Sequence, residues 1–260
     1  MQKQLTVLIT GAAGNLGTKL SRHLEGRFDL KLLDKEPGAD ERITRIDLSS
    51  WDDKLSEQFD DVDVVVHLAA NPNDLESWSS LVSTNLDATI NAFIAASSAG
   101  VSRFIYASSN HAMGGYKDDP MLQSLTWDCA PRPGTRFSAQ GVEVDSVAYG
   151  AMKLFGERLG KCYAYASGMN VIAVRIGWVQ HGENQPCQMP ADADPWFRAM
   201  WLSNRDFCHL MERCILAELH EPFVVVNGMS ANKPMVWDIE HTKRVLGYES
   251  SDSLTIDGSV

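Results

Sequence analysis

Tyr149 and Lys153 stand one helical turn apart in Tyr149-Gly150-Ala151-Met152-Lys153. Residues four apart on a helix share a face, so a phenol and an ammonium can be held side by side. A free tyrosine titrates near ~10 and is a poor base at neutral pH. A neighbouring cation favours the phenolate, and ionising a tyrosine near neutrality takes roughly 4 kcal/mol of such preference. The chemistry on offer is proton abstraction from a hydroxyl. The same spacing is common on solvated helix faces, so its meaning depends on the surrounding elements.

The first of these is N-terminal. Leu5-Thr6-Val7-Leu8-Ile9-Thr10 is a short β-prone run, followed directly by Gly11-Ala12-Ala13-Gly14-Asn15-Leu16-Gly17 and then by apolar positions Leu16, Leu20 and Leu24 at helical spacing. A strand, a glycine turn and a helix form a cradle for a dinucleotide, because glycine allows close backbone approach and the helix N-terminus receives the pyrophosphate. The glycines are spaced three and three, a departure from the G-x-G-x-x-G fingerprint. A second strand, Leu30-Lys31-Leu32-Leu33, ends in Asp34. A carboxylate there accepts hydrogen bonds from the adenosine ribose hydroxyls and repels a 2′-phosphate, which selects NAD over NADP. Lys35 weakens that selection slightly.

Composition narrows the classes. The chain has 260 residues and a net charge of −11, with 34 acidic against 23 basic residues. No basic cluster appears, which argues against a nucleic-acid partner. Apolar runs such as Val62 to Ala70 are of strand length, well short of the ~20 residues of a membrane helix. The apolar N-terminal segment runs straight into the glycine turn and does not read as a signal peptide. Cysteines 129, 162, 187, 208 and 214 are odd in number and lack metal-like spacing. They read as reduced thiols in a cytoplasm, with no metal site.

Strand patterns at 5–10, 30–34, 43–46, 63–68, 103–108, 171–176 and 223–226 alternate with helical patterns at 14–25, 51–59, 75–99, 148–167 and 205–218. Such alternation predicts an α/β fold with a parallel sheet covered on both faces. The stretch from Gln180 to Trp196 holds three prolines and little periodicity; it reads as a loop folding over a substrate.

The glycine turn, Asp34, Asp47-Leu48, His67-Leu68-Ala69-Ala70, Asn85, Tyr106-Ala107-Ser108-Ser109 and Tyr149-x-x-x-Lys153 occur in order. Together they resemble the extended short-chain dehydrogenase/reductase pattern over essentially the whole chain. The resemblance implies a Rossmann-type doubly wound sheet. Residues 1–177 would carry NAD and the catalytic groups, and residues 178–260 would form a small C-terminal substrate-binding part packed on that core. It implies Ser109, Tyr149 and Lys153 as catalytic residues. Gly11, Ala13, Gly14, Asn15, Leu16, Gly17, Asp34, Leu68, Ala69, Ala70 and Ile176 would line NAD, with Tyr149 and Lys153 reaching it. Asp47 and Leu48 would contact the adenine, and Asn85 would hold the helix that positions the site. Helices 75–99 and 148–167 would pair in a homodimer or dimer-based oligomer. His67 reads as a core histidine.

Ser108-Ser109-Asn110-His111, Gly114-Gly115-Tyr116, Val174-Arg175-Ile176-Gly177, Met200-Trp201-Leu202-Ser203 and Gly228-Met229-Ser230-Ala231-Asn232 narrow the resemblance. They look like the uronate dehydrogenase group of sugar 1-dehydrogenases. The implied reaction is oxidation of the anomeric carbon of a hexopyranose bearing an anionic C6 group, giving the aldonolactone. Asn110, His111, Tyr149, Trp178, Gln180 and Arg198 are the expected sugar contacts. Uronate dehydrogenases have a serine after Arg-Ile-Gly and an arginine ahead of the Met200 segment. Here Trp178 takes the first place and Trp196 falls near the second, with Arg198 two residues on. The change favours a tetrahedral monoanion held by one arginine and neutral donors such as Gln180, Gln185 or Asn204, which makes sulfoquinovose the first candidate. Glucose 6-phosphate and a uronate are the alternatives. Arg205 is as readily a partner for a nearby acid. An epimerase or dehydratase, or a non-catalytic NAD sensor, would use the same cradle. Asn110 and His111, where dehydratases carry an acidic pair, argue against the former, and retention of Tyr149 and Lys153 argues against the latter.

Overall fold

Every residue of β1 (Thr6–Thr10) is buried, as is every residue of β4 (Val64–His67). Strands without an exposed face belong to a parallel sheet covered on both sides. The structure, a computed structural model, describes residues 4–73, 76–139, 141–190 and 192–255. Its main sheet has seven strands in the order β3-β2-β1-β4-β5-β8-β9. The remaining members are β2 (Asp29–Asp34), β3 (Ile43–Arg45), β5 (Arg103–Ser109), β8 (Asn170–Ile176) and β9 (Phe223–Gly228). Pairing is parallel from β3 through β2, β1 and β4 to β5. The order reverses at β1, where β2 and β4 flank the first strand, the topological switch point at which doubly wound sheets bind ligands. All seven strands lie where the alternating pattern puts them.

By chain contacts the molecule divides into two compact units. The first comprises Met1–Ala107, Met152–Ala173 and His220–Val224; the second comprises Ser108–Ala151, Val174–Leu219 and Val225–Val260. In the first unit α1 (Asn15–Leu24) follows the glycine turn and buries Leu20 and Leu24. Gly11 has φ +69°, and a Cβ on it would lie 2.7 Å from the Ala69 nitrogen. At Gly17 a Cβ would lie 2.1 Å from the Gly11 carbonyl oxygen. Helix and turn therefore touch backbone to backbone.

The expected helix over 75–99 is broken. Position 75 lies outside the described residues; beyond it α3 (Trp78–Val82) passes through a π-turn (Ser83–Asp87) into α4 (Ala88–Ser98). A π-turn takes up one extra residue, and here it presents Asn85 inward, where its Oδ1 accepts the Asn71 N–H at 2.7 Å. Its Nδ2 donates to the Asn71 carbonyl at 3.0 Å. α2 (Asp53–Glu57) is capped by Asp52.

The second unit holds elements that sequence periodicity passed over. A hairpin of β6 (Arg136–Ala139) and β7 (Val142–Asp145) pairs antiparallel, turning at Gly141 with φ +77°. The long loop contains a 3-10 turn (Pro186–Gln188) and is followed by α6 (Pro195–Ala199), whose N-cap Asp194 accepts the Trp196 N–H at 2.8 Å. Asp before Pro is a helix-start signal. α7 (Asn204–Leu216) and α8 (Glu240–Leu246) complete the helices, with α5 (Val147–Ser167) running from the second unit into the first. Buried Asp206 organises the C-terminal segment. Its carboxylate accepts from Ser230 and Ser250 hydroxyls and from the Ser251 and Asp252 N–H groups.

The Gly11–Gly17 contact leaves no room for a methyl group. Gly17→Ala should therefore force α1 off β1, lowering the melting temperature and removing the dinucleotide binding expected of this turn together. A variant that melts and binds as the wild type does would show that the turn relaxes freely.

Candidate active site

In the first unit a cleft of about 440 Å³ opens at the carboxyl ends of β1, β2 and β4. Gly11, Ala13 and Gly14 form one side; Asp34, Asp47 and Leu48 form another; Leu68, Ala69 and Ala70 close the third. The Asp34 carboxylate accepts the Ala13 N–H at 3.0 Å and the Glu36 N–H at 2.9 Å. It is thus fixed at the cleft edge with lone pairs to spare for a diol. Asp47 accepts the Ser49 N–H and hydroxyl through Oδ1, which, more than burial opposes it, holds its carboxyl below the usual range. Asn15, Leu16 and Gly17 form the first turn of α1, whose N-cap Gly14 supplies no side-chain acceptor. The N–H groups of that turn suit a pyrophosphate. The cleft fits a dinucleotide.

Asn85 is not among the lining residues; it reaches the cleft through Asn71, which is. The sequence reading missed Asn71 and Pro72 on that wall, because neither belongs to a periodic segment. Among the described residues no group of three or more His, Cys, Asp or Glu side chains is gathered to hold a metal. No disulfide joins the five cysteines.

Lys153, also in this unit, is buried. Its Nζ donates to the Ala107 carbonyl at 2.8 Å and sits 5.2 Å from the Tyr106 ring centre. Burial pushes its pKa down to about 7. Gly156, one turn on, permits this approach, since a Cβ there would meet the Tyr106 hydroxyl at 2.2 Å. His67 is enclosed between Thr10 and Thr89. Burial, reinforced by the Lys153 charge, holds its pKa down at about 3, so the imidazole is neutral, as a core histidine should be.

In the second unit Ser109 ends β5 and opens a 3-10 turn (Asn110–Tyr116), its Oγ accepting the His111 N–H at 3.2 Å. The hydroxyl proton is left to donate elsewhere. Asn110 is buried; its Nδ2 donates to the Ile176 carbonyl at 3.1 Å, while its Oδ1 has no hydrogen-bond partner. Buried acceptors are nearly always satisfied, so this oxygen suits a ligand hydroxyl. His111 Nδ1 lies 2.5 Å from the Ser146 Oγ, and its ring stands edge-on to Tyr149 at 5.6 Å. Burial lowers its pKa to about 4, which makes it a neutral hydrogen-bonding group. Gly150 is required beside Tyr149, because a Cβ there would strike the His111 carbonyl at 2.3 Å. Tyr149 lies in the first turns of α5, one turn ahead of Lys153.

Aromatic rings continue from His111. Phe137 of the hairpin lies 6.1 Å from it, Phe197 of α6 lies 5.5 Å from Phe137, and Trp178 lies 5.6 Å from Phe197. Neither phenylalanine was legible as a site residue, because each sits in an element without clear periodicity. Lys117 is pinned to Asp194 at 2.6 Å and lies over Phe197. Arg198 donates to the Ala193 and Pro190 carbonyls at 3.1 Å each. Gln180 donates to the Met189 sulfur at 3.9 Å. Two expected neutral donors serve their own segment: Asn204 bonds the Gly182 and Glu183 carbonyls, and Gln185 caps the 3-10 turn. Arg205 pairs with Asp252.

The histidine shifts have a sign. Unfolded imidazoles take up protons near pH ~6.5, well above the folded values, so this contribution is complete above that pH and is lost on acidification. The loss is up to ~1.4 kcal/mol per pH unit for each histidine. Urea unfolding at pH 7 and pH 5 should show wild type losing more stability than His111→Gln. Equal losses would exclude His111 from the acid response.

The NAD dependent epimerase/dehydratase family matches residues 7–186. NAD-dependent glucose-6-phosphate dehydrogenase of Haloferax volcanii is 35% identical over 257 residues, covering 95% of this chain and 93% of its own. L-arabinose 1-dehydrogenase (NAD(P)(+)) of the same organism is 34% identical over 260 residues, covering 95% and 96%. A uronate dehydrogenase variant from Agrobacterium tumefaciens, solved in complex with NAD, superposes with a TM-score of 0.76 at 28% identity, over 96% of this chain and 86% of that one. The chain belongs to the NAD-dependent epimerase/dehydratase family, in its uronate dehydrogenase-like group, and is an NAD-dependent enzyme of the short-chain dehydrogenase/reductase type.

Proposed function

We propose that this enzyme oxidises the anomeric carbon of a hexopyranose with an anionic C6 group, releasing the aldonolactone and NADH. The observation that carries the reading is α5, which bears Tyr149 beside His111 and, one turn later, a buried Lys153. Tyr149, as phenolate, takes the proton of the C1 hydroxyl. Lys153 favours that phenolate and bonds the nicotinamide ribose. Ser109 hydrogen-bonds the reacting oxygen, and Asn110 and His111 orient the neighbouring hydroxyls. When bound, NAD supplies the hydride acceptor. Residues 1–177 carry cofactor and chemistry, and residues 178–260 add further substrate contacts.

Sulfoquinovose is the preferred substrate. Its sulfonate is a monoanion, and Arg198 with Gln180 are the donors assigned to it, Trp178 providing the aromatic wall. Support comes from relatives named for glucose 6-phosphate and for uronates, sugars that also carry a C6 anion. The enzyme acts in the cytoplasm, a compartment that suits five free cysteines. Among the described residues no helix is long and apolar enough to cross a membrane. The functional assembly is a dimer or dimer-based oligomer. Trp78, Phe155 and Tyr165, 62%, 38% and 64% exposed, supply the apolar surface on α3 and α5.

Spectrophotometric NADH formation should appear with sulfoquinovose and be weak or absent with glucose 6-phosphate, glucuronate, galacturonate, glucose and L-arabinose. Preference for a uronate would overturn the reading of Trp178, and equal turnover of L-arabinose would remove the C6 anion from the argument. Absence of any net NADH would favour an epimerase. Tyr149→Phe should lose roughly 10²–10⁴-fold in kcat while still binding NAD. Sedimentation should return a multiple of the 28.7 kDa chain mass; a monomer at micromolar concentration would exclude the dimer.

A further inference from the structure

His67 takes no part in the chemistry above, yet its hydrogen bonds form a chain whose direction can be worked out. The Thr89 hydroxyl donates to the Asn85 carbonyl at 2.7 Å. With its proton spent there, Thr89 Oγ1 can only accept from His67 Nε2, 3.2 Å away. Nε2 therefore carries the imidazole proton. Nδ1 of the neutral ring is then an acceptor, and the Thr10 hydroxyl, at 2.9 Å, donates to it. Thr10 Oγ1 in turn accepts the Ala69 N–H at 3.3 Å. The polarity runs from Ala69 N–H through Thr10, His67 and Thr89 to the Asn85 carbonyl, with no conflict at any step. Asn85 closes the circuit by clamping both backbone groups of Asn71. Ala69 and Asn71 are walls of the cleft.

We infer that neutral His67 is a positioning residue for the cofactor: it ties the Ala69–Asn71 wall to β1 on one side and to the π-turn on the other, setting NAD affinity and not the chemical step. The inference rests on the assignment of that cleft to NAD. A doubly protonated ring would reverse the link at Thr10, because Nδ1–H would donate to Thr10 Oγ1 and displace the hydroxyl proton that now points at Nδ1. The groups around the ring resist such protonation. α5 presents the Lys153 ammonium, β5 presents the Tyr106 and Phe104 rings at 6.1 and 5.8 Å, and β1 and α4 present the two threonine hydroxyls.

The test is NAD titration together with steady-state kinetics on full-length protein for wild type, His67→Leu, His67→Asn and Thr10→Val. His67→Leu should weaken NAD binding about tenfold, with kcat at saturating NAD and the sugar KM within about twofold of wild type. His67→Asn offers one acceptor and one donor, and should recover part of the lost affinity. Thr10→Val keeps the shape of its site, so it decides the matter should His67→Leu fail to fold; it should raise the dissociation constant several-fold. The inference is overturned if His67→Leu or Thr10→Val binds NAD as wild type does, if kcat falls while NAD affinity holds, or if His67→Asn shows no recovery. Wild type that does not bind NAD would instead overturn the cofactor assignment.

Discussion

An ammonium held away from water is the constraint on which the rest of this structure depends. Burying Lys153 costs several kcal/mol unless its charge is met by oriented dipoles. The protein supplies the Ala107 carbonyl and the Tyr106 ring. Both belong to the carboxyl-terminal half of β5, so the lysine is met by that strand. Gly156 must lack a side chain for the helix to come so close. Even so, burial lowers the lysine to about 7. A group poised near neutrality has a favourable use for any hydroxyl or anionic partner that enters.

Burial first, and that cation second, keep the nearby imidazole neutral. A positive His67 would face Lys153 in the same dry region, so the protein commits it to two threonine hydroxyls. His111 in the second unit is treated in the same way by Ser146. Neutral histidines donate and accept at fixed places without shifting charge as pH varies around neutrality. The polar groups that remain unsatisfied are correspondingly informative, Asn110 Oδ1 above all.

The second unit holds several segments of low periodicity. Asp194 caps α6 and pairs with Lys117, while Arg198 stitches the preceding loop to its own carbonyls. Lys117 is thus committed to the loop, and Arg198 is held in place by it. The ring series from His111 through Phe137 and Phe197 to Trp178 is built by a hairpin and a five-residue helix. Their apolar character is a property of how those pieces fold back, not of any local motif.

Local pattern determined the strands, the order of helices and strands, and the glycine turn and Asp34 that line the cleft. A buried parallel strand is a continuous apolar run, and a phosphate-binding turn needs glycine at set places; both requirements act within a few residues. The placing of Tyr149 one turn ahead of Lys153 was legible for the same reason, since helix periodicity alone sets that spacing. The π-turn, the hairpin and α6 were not, because each is short and held by partners distant in sequence: Asn71 for Asn85, His111 for Phe137, Lys117 for Asp194. The charge state of His67 and His111 belonged to tertiary structure as well, because it follows from burial and from neighbours on other elements. Sequence determined which groups could react; only the packed chain decided which of them are neutral, which are already bonded, and which are left to meet a ligand.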